Sequence, residues 1–284
     1  MTHPGSPFWV PSPALQRHVN RAATGNPDID WLSWVRAVHL SPAVPRALVL
    51  GCSRGHLEQA LARKDGIGAI TAVDADPAAV ERARRQAERA GLAAISYAVF
   101  DPDTDALPDG PWNAIFASDL LHHVPSVETL FGRVAPALAR DGRFVFHEYV
   151  GPNSFQYSDA HMELVQRYFR ILPDRLRKDP STGRLLWRRE RIDAARLARE
   201  SPAEAAESEE LLPRARRGFA CEAEYSGGGG LLHPTLMGLA ENFRQGAPEE
   251  ERLLEILCAA EEQLVSSGLI ADSFRVFVGR KPMT

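Results

Sequence analysis

The stretch ALVLGCSRGHLE, residues 47–58, decides how the chain is read. Its first half is a short unbroken apolar run, as a strand buried on both faces requires, and Gly51 stops it. From His56 onward the composition is that of a helix, HLEQALAR, residues 56–63. Between them Gly51 and Gly55 let the backbone turn tightly and approach a ligand with no Cβ in the way. A strand that passes through a glycine turn into a helix is the opening unit of a parallel α/β sheet.

Working outward, the same alternation continues. AITAVDAD (69–76) reads as a second strand ending in acid, and residues 77–90 as a helix opened by Pro77 and closed by Gly91. ISYAVFD (95–101), WNAIFASD (112–119) and GRFVFHEYV (142–150) are further strands, with a helix over 126–139. Strands separated by helices imply a doubly wound, mostly parallel sheet whose ligands bind beyond the C-terminal strand ends. Past residue 150 the pattern changes. Residues 158–217 read as mostly helical, 219–226 as a strand, 227–230 as four glycines, 249–267 as a long amphipathic helix and 273–281 as a final alternating strand. Ahead of the sheet, residues 1–13 read as an irregular arm. Residues 14–40 read as one or two short helices, with Trp31, Trp34, Val35 and Val38 at helical spacing.

With 284 residues, 44% hydrophobic and 25% charged, the chain has room for one large α/β domain with insertions. The formal charge of −4 argues against a nucleic-acid partner, which calls for a basic excess. Cys52, Cys221 and Cys258 are far apart and form no CxxC pair. They offer neither a disulfide framework nor a metal site, and a reducing, cytoplasmic setting is expected. No apolar run is long enough to span a bilayer, and the N-terminus lacks the pattern of a secretory signal.

The chemically suggestive residues sit just after the strands. Asp74 lies about twenty residues beyond the glycine turn, where an acid can hold ribose hydroxyls. Asp101 ends the third strand, where it can accept from an adenine amino group. Ser118 and Asp119 follow the fourth. Taken together, LVLGCSRGHLE, AVDADP, FDPDTDALP, WNAIFASDLLHHV and DGRFVF resemble the class I S-adenosylmethionine-dependent methyltransferases, over residues 45–150 and more loosely in the last strand. The likeness is to small-molecule or glycan-modifying bacterial members. It implies a seven-stranded sheet with the last strand antiparallel, in a domain over 45–284. A helical arm at 1–44, a lid at about 151–215 and a glycine-rich loop and helix at 227–247 would cap it. The implied cofactor is S-adenosylmethionine. Gly51 and Gly55 would lie against its methionine part, Asp74 at the ribose, Asp101 and Pro102 at adenine and Ser118 beside the sulfonium, with Cys52, Ser53 and Ala75 also in the cofactor site. Two positions depart from the family pattern: Val49 stands where an acid is frequent, and Ser53 where a glycine is. A dinucleotide-binding dehydrogenase competes for the same glycine turn, but its third glycine is replaced by His56.

On the acceptor side the candidates are His122, His147, Glu148 and His233, as bases or orienting groups for an oxygen or nitrogen nucleophile on a small molecule such as a sugar or secondary metabolite. His122, like its neighbour His123, could instead be structural, and Glu148 could be a strand-end salt bridge. The four glycines admit two readings, a close approach of backbone to substrate or a flexible loop. So do the basic residues Arg175, Arg177, Lys178, Arg184, Arg188, Arg189 and Arg191: an anion site, or a solvated face paired with Asp174, Asp179, Glu190 and Asp193. A homodimer is a further expectation. A non-catalytic protein of the same fold and a cofactor-using enzyme that transfers no methyl group remain alternatives.

Overall fold

Strand β1 (Val44–Leu50) lies between β2 (Ile67–Asp74) and β4 (Trp112–Ser118), parallel to both. Its buried tail AlaLeuValLeu packs helices on both faces, which is why it carries no polar alternation. In the computed structural model, which describes residues 12–102, 104–244 and 246–282, the sheet is completed by β3 (Ile95–Val99), β5 (Leu138–Tyr149), β6 (Ala220–Ser226) and β7 (Phe274–Arg280). The order is β3-β2-β1-β4-β5-β7-β6, with β7 antiparallel to both of its neighbours. The seven expected strands are all present, and the expected antiparallel last strand is β7. The arm at 1–11 lies outside the described residues.

The two faces of the sheet carry separate cores. On one, Val49, Phe116, Val145 and Val276 meet α2 (Trp31–Val38), α3 (His56–Leu61) and α4 (Pro77–Arg89). On the other, Leu48, Ile115, Phe144, Phe146 and Phe277 meet α5 (Val127–Ala137) and α8 (Leu211–Gly218). Phe131, Phe144, Phe146, Phe219 and Phe277 pack there as a ring cluster with centroids 4.9–6.5 Å apart. The period of two along β5 sends Val145 and His147 to the first face and Phe146 and Glu148 to the second.

A third core stands apart from the sheet. It joins α1 (Pro13–Thr24), α6 (Asp159–Phe169), α9 (Leu232–Leu236) and α10 (Pro248–Ser266) through Leu15, Phe169, Leu232, Leu236, Leu254 and Leu257. The expectation of a mostly helical 158–217 needs correction. Besides α6 and α8 only the short α7 (Ala194–Glu200) and single 3-10 turns are helical. Pro173 and Pro180 interrupt the helical pattern, and a short antiparallel bridge pairs Lys178 with Leu185. The Asp179 carboxylate closes that turn by accepting from the N–H groups of Ser181 and Thr182.

Candidate functional site

The glycine turn is wound by hydrogen bonds from both sides. Gly51 and Cys52 donate to the Val73 carbonyl at 2.8 and 3.0 Å, and Gly55 donates to the Cys52 carbonyl at 2.6 Å. Gly51 has φ +77°, and a Cβ there would stand 3.1 Å from the Leu120 side chain. Ser53 takes a left-handed φ of 44°, which a side chain pays for in strain. Its N–H donates to Asp74 Oδ2 at 2.8 Å, while Asp76 N–H donates to Oδ1 at 3.0 Å. A carboxylate has about four lone-pair directions, so each Asp74 oxygen keeps one for a ribose hydroxyl. The residues present therefore fit the nucleoside cofactor that the sequence implies. Burial pushes the Cys52 thiol up to about 12, which leaves it a contact and no nucleophile.

Glu58 was missed in the sequence, where it reads as an ordinary helix residue. It lies on α3 behind the turn, fully buried, and neither carboxyl oxygen has a hydrogen-bond partner. Burial raises its pKa to about 7. The adjacent wall is aromatic: His147 stacks between Trp31 (5.6 Å) and Phe274 (5.8 Å), with both ring nitrogens unpartnered and its pKa lowered by burial. Asp119 beside it has positive φ (51°) and a carboxyl pKa raised by burial.

Glu148 and His122 form a closed unit. Glu148 is fully buried; its Oε1 accepts from Leu120 N–H (2.7 Å) and Leu121 N–H (2.8 Å), and its Oε2 bonds His122 Nδ1 (2.8 Å). Both Glu148 oxygens are thus engaged within the protein, one of them on His122. With a carboxylate on Nδ1, that nitrogen carries the proton and Nε2 is left as the basic atom. Burial opposes protonation of His122, but the hydrogen bond and charge of Glu148, helped by Asp119 and Glu204, outweigh it and raise the pKa above 6.5. Glu204 lies 4.0 Å from His122 Nε2 and pairs with His123 Nδ1 at 2.8 Å. Among the described residues, His122, His123 and Glu204 are the set whose donor atoms come within 4.8 Å of one another, and these pairings already engage them.

Beyond His122 opens a cavity of about 820 Å³, walled by Tyr149, Phe155, Leu186, Leu197, Met237 and Phe274. His233 also lines it. The Tyr157 hydroxyl lies 3.2 Å from its Nδ1 and 3.1 Å from Ser273 Oγ. Burial, with the charges of His122 and Arg189 adding, lowers the His233 pKa to about 3, so it is a neutral imidazole. The acceptor-side candidates therefore fall in two groups: His122 and His233 face the cavity, whereas His147 lies within the aromatic wall and Glu148 behind His122.

The four glycines are not a slack loop. Glu261 on α10 is buried beneath them; its Oε1 accepts from Gly229 N–H (2.8 Å) and bonds His18 Nε2 (2.8 Å), and its Oε2 accepts from Leu231 and Leu232 N–H (2.7 and 2.8 Å). Of the two readings of this segment, flexibility gives way to a fixed turn. No helix among the described residues is long and apolar enough to cross a membrane.

A glycine turn, two acid-ended strands and a seven-stranded sheet in this order make up the class I methyltransferase fold. Residues 47–142 match the family described as "Methyltransferase domain". Aklanonic acid methyltransferase DauC of Streptomyces sp. (strain C5) is 32% identical over 114 residues, 39% of this chain and 52% of that protein. The ubiquinone biosynthesis O-methyltransferase of Methylocella silvestris is 37% identical over 102 residues, 36% of this chain and 38% of that protein. The match thus spans about half or less of these relatives' lengths. Among solved structures, a putative sarcosine dimethylglycine methyltransferase from Galdieria sulphuraria aligns with TM-score 0.52 at 15% identity, covering 87% of this chain and 82% of that one. The [4+2]-cyclase SpnF aligns with TM-score 0.52 at 14% identity, covering 89% and 81%. That a cyclase shares the fold means the reaction must be argued from the site.

Proposed function

We propose that this chain transfers a methyl group from S-adenosylmethionine to an oxygen or nitrogen of a small molecule bound in the cavity beside His122. The bound sulfonium would supply an electrophilic methyl carbon. Gly51, Cys52, Ser53 and Gly55 would hold the methionine part, Asp74 and Ala75 the ribose, Asp101 and Pro102 the adenine, and Ser118 the sulfonium edge. In-line transfer needs alignment first. The cavity wall would provide it, with residues 151–215 and 227–247 acting as the cap and 1–44 as the arm. An O–H acceptor must also lose a proton, and His122 Nε2 is placed to take it while Glu148 steadies the imidazolium. His233, neutral and facing the same cavity, would orient the acceptor.

The Glu148–His122 pair carries this reading, because it fixes a basic nitrogen between the acid-ended strands and an apolar cavity. Two relatives' names agree with it: one acts on aklanonic acid and the other is an O-methyltransferase. A small-molecule acceptor rather than nucleic acid, and a cytoplasmic setting, complete the proposal, supported by the −4 charge and three cysteines in no disulfide. Calorimetric titration with S-adenosylhomocysteine, with NAD as control, tests it. Binding of the sulfur nucleotide alone, weakened more than about tenfold in Asp74→Ala, is expected. Absence of binding would move the chain to the non-catalytic alternative. Binding with no methyl transfer across an acceptor panel would move it to the non-transferring one.

A further inference from the structure

The arginines of residues 175–191 mostly have acid partners. Arg175 pairs with Glu249 and Glu250, Arg177 with Asp174, Arg188 with Glu190 and Arg191 with Asp159. Arg189 differs: it lines the cavity, and no carboxylate among the described residues forms an ion pair with it. Of the acids that share the cavity, Asp179 is spent on its own turn, Glu204 on His123, and Glu241 is solvent-exposed.

The position of Arg189 is fixed from two sides. The Gln166 amide clamps its backbone, accepting from Arg189 N–H at 3.0 Å and donating to the Arg189 carbonyl. One edge of the guanidinium donates to the carbonyls of Pro234 (3.0 Å, from Nε) and Met237 (2.8 Å, from Nη2). Those bonds use two of the five donors of an arginine, and the Phe169 ring lies 5.8 Å from the guanidinium carbon; neither supplies a counter-charge. Burial lowers its pKa to about 10, so it stays a cation at neutral pH. A cation without a counter-charge against aromatic and aliphatic walls is unfavourable in the fold alone, and a preorganised guanidinium matches the paired oxygens of a carboxylate or phosphate.

We propose that Arg189 binds an oxyanion carried by the acceptor, so that the cavity selects an apolar small molecule bearing a carboxylate or phosphate. This rests on the reading of the cavity as the acceptor site. The anion would anchor one end of the acceptor while its nucleophile meets His122.

Anthraquinone-2-carboxylate, 2-naphthyl phosphate and anthraquinone-2-carboxamide are the probes, titrated against wild type, Arg189→Met and Arg189→Lys in saturating S-adenosylhomocysteine. At least one anionic probe should bind wild type about tenfold or more tighter than the amide, the size of a charge-assisted hydrogen bond. Arg189→Met should erase that preference with amide affinity kept, and Arg189→Lys should retain part of it. Which anion wins separates carboxylate from phosphate. Equal affinity for all three, no binding of either anion up to about 1 mM, or a preference that survives in Arg189→Met would overturn the proposal. S-adenosylhomocysteine binding, measured separately in each variant, reports the fold. It also isolates failure of the cofactor reading from failure of this one.

Discussion

Glu148 accepts from two consecutive backbone N–H groups and one imidazole; Glu261 accepts from three backbone N–H groups and one imidazole. Both are fully buried, and both organise a turn that sequence alone leaves open. The difference lies in the histidine. His18, bound to Glu261, is buried on α1 and is not among the residues lining the cavity beside His122, so this cluster joins α1, the four-glycine segment and α10. His122, bound to Glu148, turns its other nitrogen toward the cavity side. The same local solution therefore serves the fold in one place and, in our reading, the chemistry in the other.

The comparison breaks most visibly if Glu261 proves dispensable. Glu261→Ala removes the acceptor of four donors, and losing one partner of a buried charged cluster costs about 3–5 kcal/mol. A fall in Tm on the order of 10 °C is expected by calorimetry. The donors hold the Glu261 pKa below 4.5 against the effect of burial. Its contribution is thus present above pH 4.5 and fades as pH falls through the lowered folded value, and Glu261→Gln should flatten that acid limb.

Glu58 is the contrasting buried acid, whose burial outweighs the help it draws from the Tyr97 hydroxyl and its own backbone. Its folded pKa of about 7 exceeds 4.5, so the native state binds the extra proton between those values and stability falls as pH rises across them. Glu58→Gln should flatten this slope and gain up to about 3 kcal/mol near pH 8, seen in urea titrations at two pH values. Glu148→Gln should lower turnover about 10- to 100-fold with cofactor affinity kept, because the one amide oxygen stays with the Leu120 and Leu121 N–H groups, so the amide NH2 faces Nδ1, moves the imidazole proton to Nε2 and steadies no cation. Full activity would reduce Glu148 to a structural acid like Glu261. The smallest effect belongs to Ser53→Gly: relief of a left-handed φ is partly offset by unfolded-state entropy, for a net gain below about 1 kcal/mol in denaturant unfolding.

The sheet was legible because its signals are local: ALVLG, AVDAD and WNAIFASD each declare a buried strand and its end within eight residues or fewer. The same locality exposed Asp74, Asp101 and the glycine turn. What stayed hidden depends on long-range pairing. His18 meets Glu261 across 243 positions, and His122 meets Glu148 across 26. Glu148 stands in the sequence as one of four acceptor-side candidates because strand alternation gives a face but not an occupant; in the fold two backbone N–H groups hold its Oε1 and His122 its Oε2. Residues 170–193 misled because their helix-forming Arg and Leu content outweighed the proline and Asp-Pro-Ser-Thr turn signals.

The most direct measurement is an NMR titration of the His122 ring in wild type and Glu148→Gln, each bound to S-adenosylhomocysteine. The expected result is a wild-type pKa above 6.5 that falls in the variant. A His122 pKa at or below 6.5, or one indifferent to Glu148→Gln, would contradict the assignment of this pair to the chemistry.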